Sequence, residues 1–172
     1  MFSRRQILVA SGGLGVAALV AGVLPKLSPG TALIEQAHAD EVFEVSHSDG
    51  EWHSLLSDEQ YAILREESTE RAYSSPLNDE HRNGTFACAG CDLALFASAT
   101  KFDSHTGWPS FWAPLEHAVA TRQDRSFGMS RNEVHCRRCG GHMGHVFDDG
   151  PKPTGLRYCM NGLAMTFKPV AA

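Results

Sequence analysis

Residues 85–98 read TFACAGCDLALFAS, and residues 133–149 read EVHCRRCGGHMGHVFDD. Both stretches break their apolar runs after a few residues with glycine, aspartate or a cysteine pair. An amphipathic helix needs roughly 10–12 residues of 3.6-period pattern, whereas a strand needs only about 4–8. TFACAG, LALFAS, EVHC, HVFDD and, near the C-terminus, AMTFKP therefore read as short strands separated by turns, which predicts a small, mostly antiparallel β domain. The clearest helix lies upstream, in SLLSDEQYAILREES. Ser57 can cap it with Gln60 three residues on, Leu56 can staple against Tyr61, and Tyr61 with Leu64 supplies an inward stripe. Serine, proline, asparagine and aspartate in STERAYSSPLND mark the connection between helix and strands.

Each quoted stretch also carries a C-x-x-C pair, Cys88 with Cys91 and Cys136 with Cys139, with glycine beside or inside it. A two-residue gap lets both sulfurs turn toward one ion, and four thiolates satisfy the tetrahedral preference of zinc. Because 44 residues separate Cys91 from Cys136, the ion would tie two distant segments together, and with no open coordination position its job is structural. Disulfides or a redox-active C-x-x-C are the competing readings. Neither pair sits in a βαβ pattern, and two matched pairs are more economically explained by one Zn2+ per chain.

Residues 1–39 stand apart. FSRRQIL carries the adjacent Arg4 and Arg5, an uncharged apolar stretch follows from Ile7 to Leu24, and Ala37-His38-Ala39 offers small residues where a signal peptidase cuts. This predicts a signal peptide of twin-arginine type over 1–39, ahead of a single domain over 40–172, and export to the periplasm. A retained membrane anchor is the alternative. Setting aside the three basic and one acidic side chains of 1–39 takes the formal net charge from −5 to −7. An acidic chain lacks the positive footprint that a nucleic-acid partner requires. The remaining sequence holds no second membrane-length apolar run.

The fifth cysteine, Cys159 in GLRYCMNG, has no evident partner. Arg157 lies two residues before it and Asn161 two after, on one face if this is a strand; His142 and His145 lie just upstream among glycines. Cysteine with histidine is a common recipe for a nucleophile and its proton carrier. An inert buried thiol with two ordinary histidines fits the same residue types.

Several separated blocks, KFDSHTGWPSFW, SFGMSRNEVHCRRCGGHMGHVFDDGPKPTGLRYCMNG and AMTFKP, together with LSDEQYAILRE and TERAYSSPL, resemble the B-type peptide-methionine (R)-S-oxide reductases from about Trp52 to Pro169. The resemblance implies a fold of two antiparallel β-sheets with peripheral helices. It also implies a zinc site at Cys88, Cys91, Cys136 and Cys139, and reduction of methionine R-sulfoxide, free or in proteins. By the same resemblance Cys159 is the nucleophile, His142, His145 and Asn161 handle the sulfoxide oxygen, Trp108 receives the S-methyl group, and Arg157 stands beside the nucleophile. Asp148 and Asp149 are candidates to orient a histidine, or simply turn residues. The family's second, resolving cysteine commonly falls where this chain has Thr106, so recycling is expected to need an external thiol, such as a thioredoxin-like protein. His105 replaces a usual glycine beside the pocket. A zinc-stapled peptide-binding module without turnover is the alternative function. It leaves Cys159, His142, His145 and Trp108 unexplained.

Overall fold

The computed structural model describes residues 41–171. The predicted signal segment lies outside them. From Val42 onward the chain forms one compact unit. Two short helices come first, α1 (Asp49–Leu55) and α2 (Asp58–Glu66). Ser57 caps α2 as its sequence requires, accepting from the Gln60 amide at 3.2 Å while the Gln60 side chain accepts from the Ser57 amide. The helical sequence is nevertheless interrupted: Ser54 and Leu55 close α1, and Leu56 is extended between the two helices. The buried stripe of α2 is Ile63 and Leu64, with Tyr61 half-buried, packed against the edge of the core and stacked at 3.6 Å on His53 of α1.

Among the described residues, nine strands build two antiparallel sheets. The smaller joins β1 (Gly84–Cys88), β2 (Ala94–Ala97) and β9 (Met165–Pro169), with β1 central. The larger runs β3-β4-β8-β7-β6-β5, from β3 (Lys101–Phe102) and β4 (Ser110–Phe111) to β8 (Arg157–Met160), β7 (His142–Phe147), β6 (Arg131–Cys136) and β5 (Val119–Asp124). The apolar segments quoted above become β1, β2, β6, β7 and β9. The two-residue strands β3 and β4, and the polar β5 (VATRQD), have no apolar alternation to announce them.

The sheets meet over aromatic rings. Phe86 of β1 and Phe96 of β2 contact Phe111 of β4, Phe96 stacked at 4.4 Å and Phe86 edge-on at 4.9 Å, and all three are fully buried. Truncating one such ring costs about 3–5 kcal/mol, a large fraction of a small domain's stability. Val134 and Met160 bury the same face of the larger sheet. Side chains alternate across a strand, so the residues between these core positions face the other way. That opposite face carries the candidate site.

Candidate active site

Directly paired residues of neighbouring strands share a face. The register therefore lays one row across five strands: Arg122, Glu133, His145, Cys159 and Ser110. A second row pairs Asp124 with Arg131 and Phe147 with Arg157. In a regular strand His142 and His145 would point to opposite faces. They do not, because β7 carries an extra residue where the register shifts between Val134 and His135, leaving Val134 opposite Gly144 and His135 opposite His142. The two imidazoles consequently lie 5.5 Å apart, edge to face. Gly144 makes the bulge possible: its φ is +153°, and a Cβ there would fall 2.1 Å from the Cys159 carbonyl oxygen.

Cys159 opens into a cleft of about 140 Å3 lined by Thr69, Trp108, Arg131, His145, Phe147 and Asn161 together with Gly144. Trp108 is half-buried and fixed by its Nε1, which donates to the Glu70 carbonyl at 3.1 Å. Arg157 is held by Asp149 through two hydrogen bonds of 2.8 Å and lies 4.4 Å over the Phe147 ring. Its charge is reinforced first by Asp149 and also by the neighbouring Cys159. Asp149 thus serves Arg157 and not a histidine.

The histidines have partners that the sequence did not reveal. His145 Nε2 meets Asp124 Oδ2 at 2.8 Å, and His142 Nδ1 meets Glu133 Oε1 at 2.7 Å. Burial lowers the pKa of His145, and the Asp124 hydrogen bond opposes that fall. Asp124 itself is held well below the ordinary carboxylate range, first by the Ser126 hydroxyl and amide, then by His145 and Arg131. For Glu133 burial acts upward, but hydrogen bonds from His142 and Arg122 outweigh it and the pKa falls. His142 is only 3 % exposed and does not line the cleft. Its Nε2 is buried without a protein partner among the described residues. His145 is thus the histidine at the cleft wall, with His142 behind it.

Asn161 lies one residue beyond the end of β8, so strand alternation does not place it. Its Oδ1 accepts from the Glu70 amide at 3.1 Å and its Nδ2 donates to the Met143 carbonyl at 3.2 Å, which ties it to the bulge of β7. Glu70 is the hub here. Its buried carboxylate accepts from the Gly162 and Leu163 amides at 2.5 and 3.0 Å, while its backbone holds both Asn161 and Trp108. Within a connection rich in serine and other polar residues, nothing marked this carboxylate as buried. Glu133, Asp124 and Arg131 were equally silent, since each reaches the site only through cross-strand register.

His105, expected beside the pocket, turns away from it. Its side chain is 85 % exposed and 3.1 Å from Asp103, and its backbone is left-handed (φ +57°), a conformation glycine adopts at less cost. Thr106, at the position of the missing resolving thiol, puts Oγ1 3.7 Å from Cys159 Sγ.

The four remaining cysteines converge elsewhere. Their sulfurs lie within 4.8 Å of one another, with Cys88 to Cys139 at 3.7 Å and Cys91 to Cys136 at 3.5 Å. Disulfides need about 2.05 Å. Four sulfurs each about 2.3 Å from a tetrahedral zinc would be about 3.8 Å apart, which the cluster matches. Cys88 ends β1 and Cys136 ends β6, so a metal held here joins the small sheet to the large one.

The SelR domain family matches residues 56–169. Over 128 residues the chain is 51% identical to a peptide methionine sulfoxide reductase MsrB of Agrobacterium fabrum, covering 74% of this chain and 95% of that protein. It is 49% identical to the reductase of the same name from Leptospira interrogans over 73% of this chain and 97% of the relative, and 53% identical to that of Thiobacillus denitrificans over 71% and 93%. The family match runs through both C-x-x-C pairs, the β7 bulge and Cys159, and the chain belongs to the SelR-domain family of MsrB-type proteins.

Proposed function

We propose that this protein is a peptide-methionine (R)-S-oxide reductase that returns methionine R-sulfoxide, free or in proteins, to methionine. The observation that carries the reading is Cys159, set in register beside His145 in a cleft walled by Trp108, in a chain belonging to this family. The sulfoxide sulfur is electrophilic, but its oxygen leaves only when protonated. Cys159 Sγ attacks that sulfur as thiolate. His145, held by Asp124, delivers a proton to the oxygen, and His142 supports it from behind. The protonated oxygen passes to Cys159 Sγ as the S–O bond and the bond between the two sulfurs break, so the sulfoxide sulfur gains two electrons as methionine and Cys159 loses two as its sulfenic acid. Arg157 stabilises negative charge on the attacking sulfur. Trp108 receives the S-methyl group on its apolar face, which fixes the epimer whose oxygen meets the histidine. Asn161 holds the histidine-bearing bulge by its bond to the Met143 carbonyl.

Cys88, Cys91, Cys136 and Cys139 would hold Zn2+, which when bound supplies a structural crosslink and no chemistry. Because Thr106 offers no thiol, two external thiols reduce the sulfenic acid, releasing water and a disulfide; a thioredoxin-like protein or a small thiol fills this role. The adjacent arginines and the Ala37-His38-Ala39 site support export by the twin-arginine route, with repair of oxidised exported proteins as its purpose. Among the described residues no helix is long and apolar enough to cross a membrane. A binding module without turnover has no use for the aligned Cys159 and His145.

Incubation of the protein with racemic methionine sulfoxide, without reductant, tests the reading. About one equivalent of methionine forms per chain, drawn only from the R epimer, and Cys159 gains one oxygen by mass spectrometry. Consumption of both epimers, or an internal disulfide to Cys159 after turnover, refutes it.

The proton donor makes its own prediction. Asp124 raises the pKa of His145, so Asp124→Asn lowers it further, and less imidazolium is present at neutral pH. The alkaline fall of kcat then moves to lower pH, by roughly 0.5–1 unit. An unshifted limb in a folded, metal-loaded variant removes His145 from the proton-donor role.

A further inference from the structure

Beyond Thr106, a line of hydroxyls leads away from the sulfur. Thr106 Oγ1 is 2.8 Å from Ser104 Oγ, Ser104 Oγ is 2.7 Å from Ser110 Oγ, and Ser110 Oγ is 3.1 Å from the Trp108 carbonyl oxygen, which it can donate to. With the 3.7 Å contact of Thr106 and Cys159 the line is continuous from the nucleophile to a backbone carbonyl. Its construction follows from the fold. Ser110 is fully buried on β4, directly opposite Cys159 on β8. The left-handed backbone at His105 turns that ring out to solvent, and the flanking Ser104 and Thr106 hydroxyls meet on the inner side.

Each hydroxyl has one proton to donate and lone pairs to accept, so the line has a direction. With Cys159 as thiol, S–H donates to Thr106, Thr106 to Ser104, Ser104 to Ser110, and Ser110 to the Trp108 carbonyl. With Cys159 as thiolate, the sulfur has no proton to give. Rotation of the three hydroxyls then reverses every bond: Ser110 leaves the carbonyl and donates to Ser104, Ser104 donates to Thr106, and Thr106 donates to the sulfur. No covalent bond changes, and the thiol proton leaves to the surroundings. Hydrogen bonds that polarise one another in a buried line are stronger than isolated ones, and those to charged acceptors are stronger still.

We propose that Thr106, Ser104 and Ser110 form a reversible hydroxyl relay that stabilises the Cys159 thiolate, so that the site lacking a resolving thiol uses that position to activate the nucleophile. These are positioning residues acting on the sulfur of the proposed reductase, and the inference rests on that reading. The charged and titratable groups facing the sulfur are Arg157 on its own strand, His145 with His142 behind it on β7, Arg131 on β6 and Asp124 on β5, with Asp149 reaching it through Arg157. None of them touches the hydroxyl line in the structure's hydrogen bonds, so the relay can be altered separately.

The test follows alkylation of Cys159 by iodoacetamide in the zinc-loaded protein against pH, by mass spectrometry of the Cys159 peptide, beside turnover of methionine R-sulfoxide with dithiothreitol. Thr106→Val, which keeps the shape and removes the hydroxyl, raises the pH of half-maximal alkylation by roughly 0.5–1 unit, and Thr106→Ser restores it. Ser110→Ala, two hydroxyls away from the sulfur, raises it by a smaller amount while leaving the metal content unchanged. An unshifted profile in Thr106→Val, or in folded Ser110→Ala, overturns the relay. Wild-type protein that fails to turn over the sulfoxide overturns the proposed function instead, so the two failures are distinguishable.

Discussion

Cys159→Ser abolishes reduction of methionine sulfoxide, by roughly 10⁴-fold or more, the scale on which removing a covalent nucleophile is felt. A serine hydroxyl is a weaker nucleophile, and its oxygen cannot give up two electrons to accept the sulfoxide oxygen as the sulfur does. The loss is therefore chemical and not structural. Cys159 is half-buried at the wall of the cleft, and exchanging sulfur for oxygen there opens only a small space; stability changes by no more than about 1 kcal/mol. The four clustered cysteines lie apart from Cys159, so a metal held there is retained. Steady-state assays beside metal analysis and thermal melts check both halves. Measurable wild-type turnover in Cys159→Ser, or loss of its zinc, would sink the assignment of Cys159.

Cys136→Ala has the opposite signature: zinc is lost first, then the fold, and activity as a consequence. Cys136 closes β6 at the knuckle that leads into β7, and its sulfur lies 3.5 Å from that of Cys91 in the turn after β1. Removing it leaves three buried or half-buried thiols facing a missing corner and cuts the crosslink between the two sheets. Structural zinc sites contribute about 10–16 kcal/mol in small peptides, comparable with the whole stability of a domain, about 5–15 kcal/mol. Even a fraction of that loss lowers the melting temperature by ten degrees or more. The knuckle also sets the start of β7, whose bulge turns His142 toward His145, so partly folded protein is inactive too. An unchanged melt together with full zinc content refutes the structural role.

The two substitutions separate what one gene-level defect would confuse. Loss of Cys159 leaves a stable, metal-loaded, inactive protein. Loss of Cys136 leaves a protein inactive because its sheets are no longer tied.

Much of this was legible in the chain itself. C-x-x-C spacing is a local property, and the two knuckles predicted from it do converge, because a gap of two residues sets sulfur geometry before any long-range packing. The same holds for the Ser57 cap and the five strands marked by short apolar runs, each of which depends on neighbours a few residues away. Cys159, His145 and Trp108 were found as residue types within recognisable blocks, and the fold brings all three to one cleft. What tertiary structure alone decided depends on register. Asp124 reaches His145 across 21 residues and Glu133 reaches His142 across nine, both by antiparallel pairing that no local pattern encodes. His142 shares the site only through the extra residue in β7, and Glu70 is buried 91 residues before the asparagine it holds. A one-residue slip would leave Asp124, Glu133, His142 and His145 unchanged in sequence and turn the slipped strand's side chains to the other face of the sheet, which is why Cys159 could be proposed from the chain and the carboxylates beside the histidines could not.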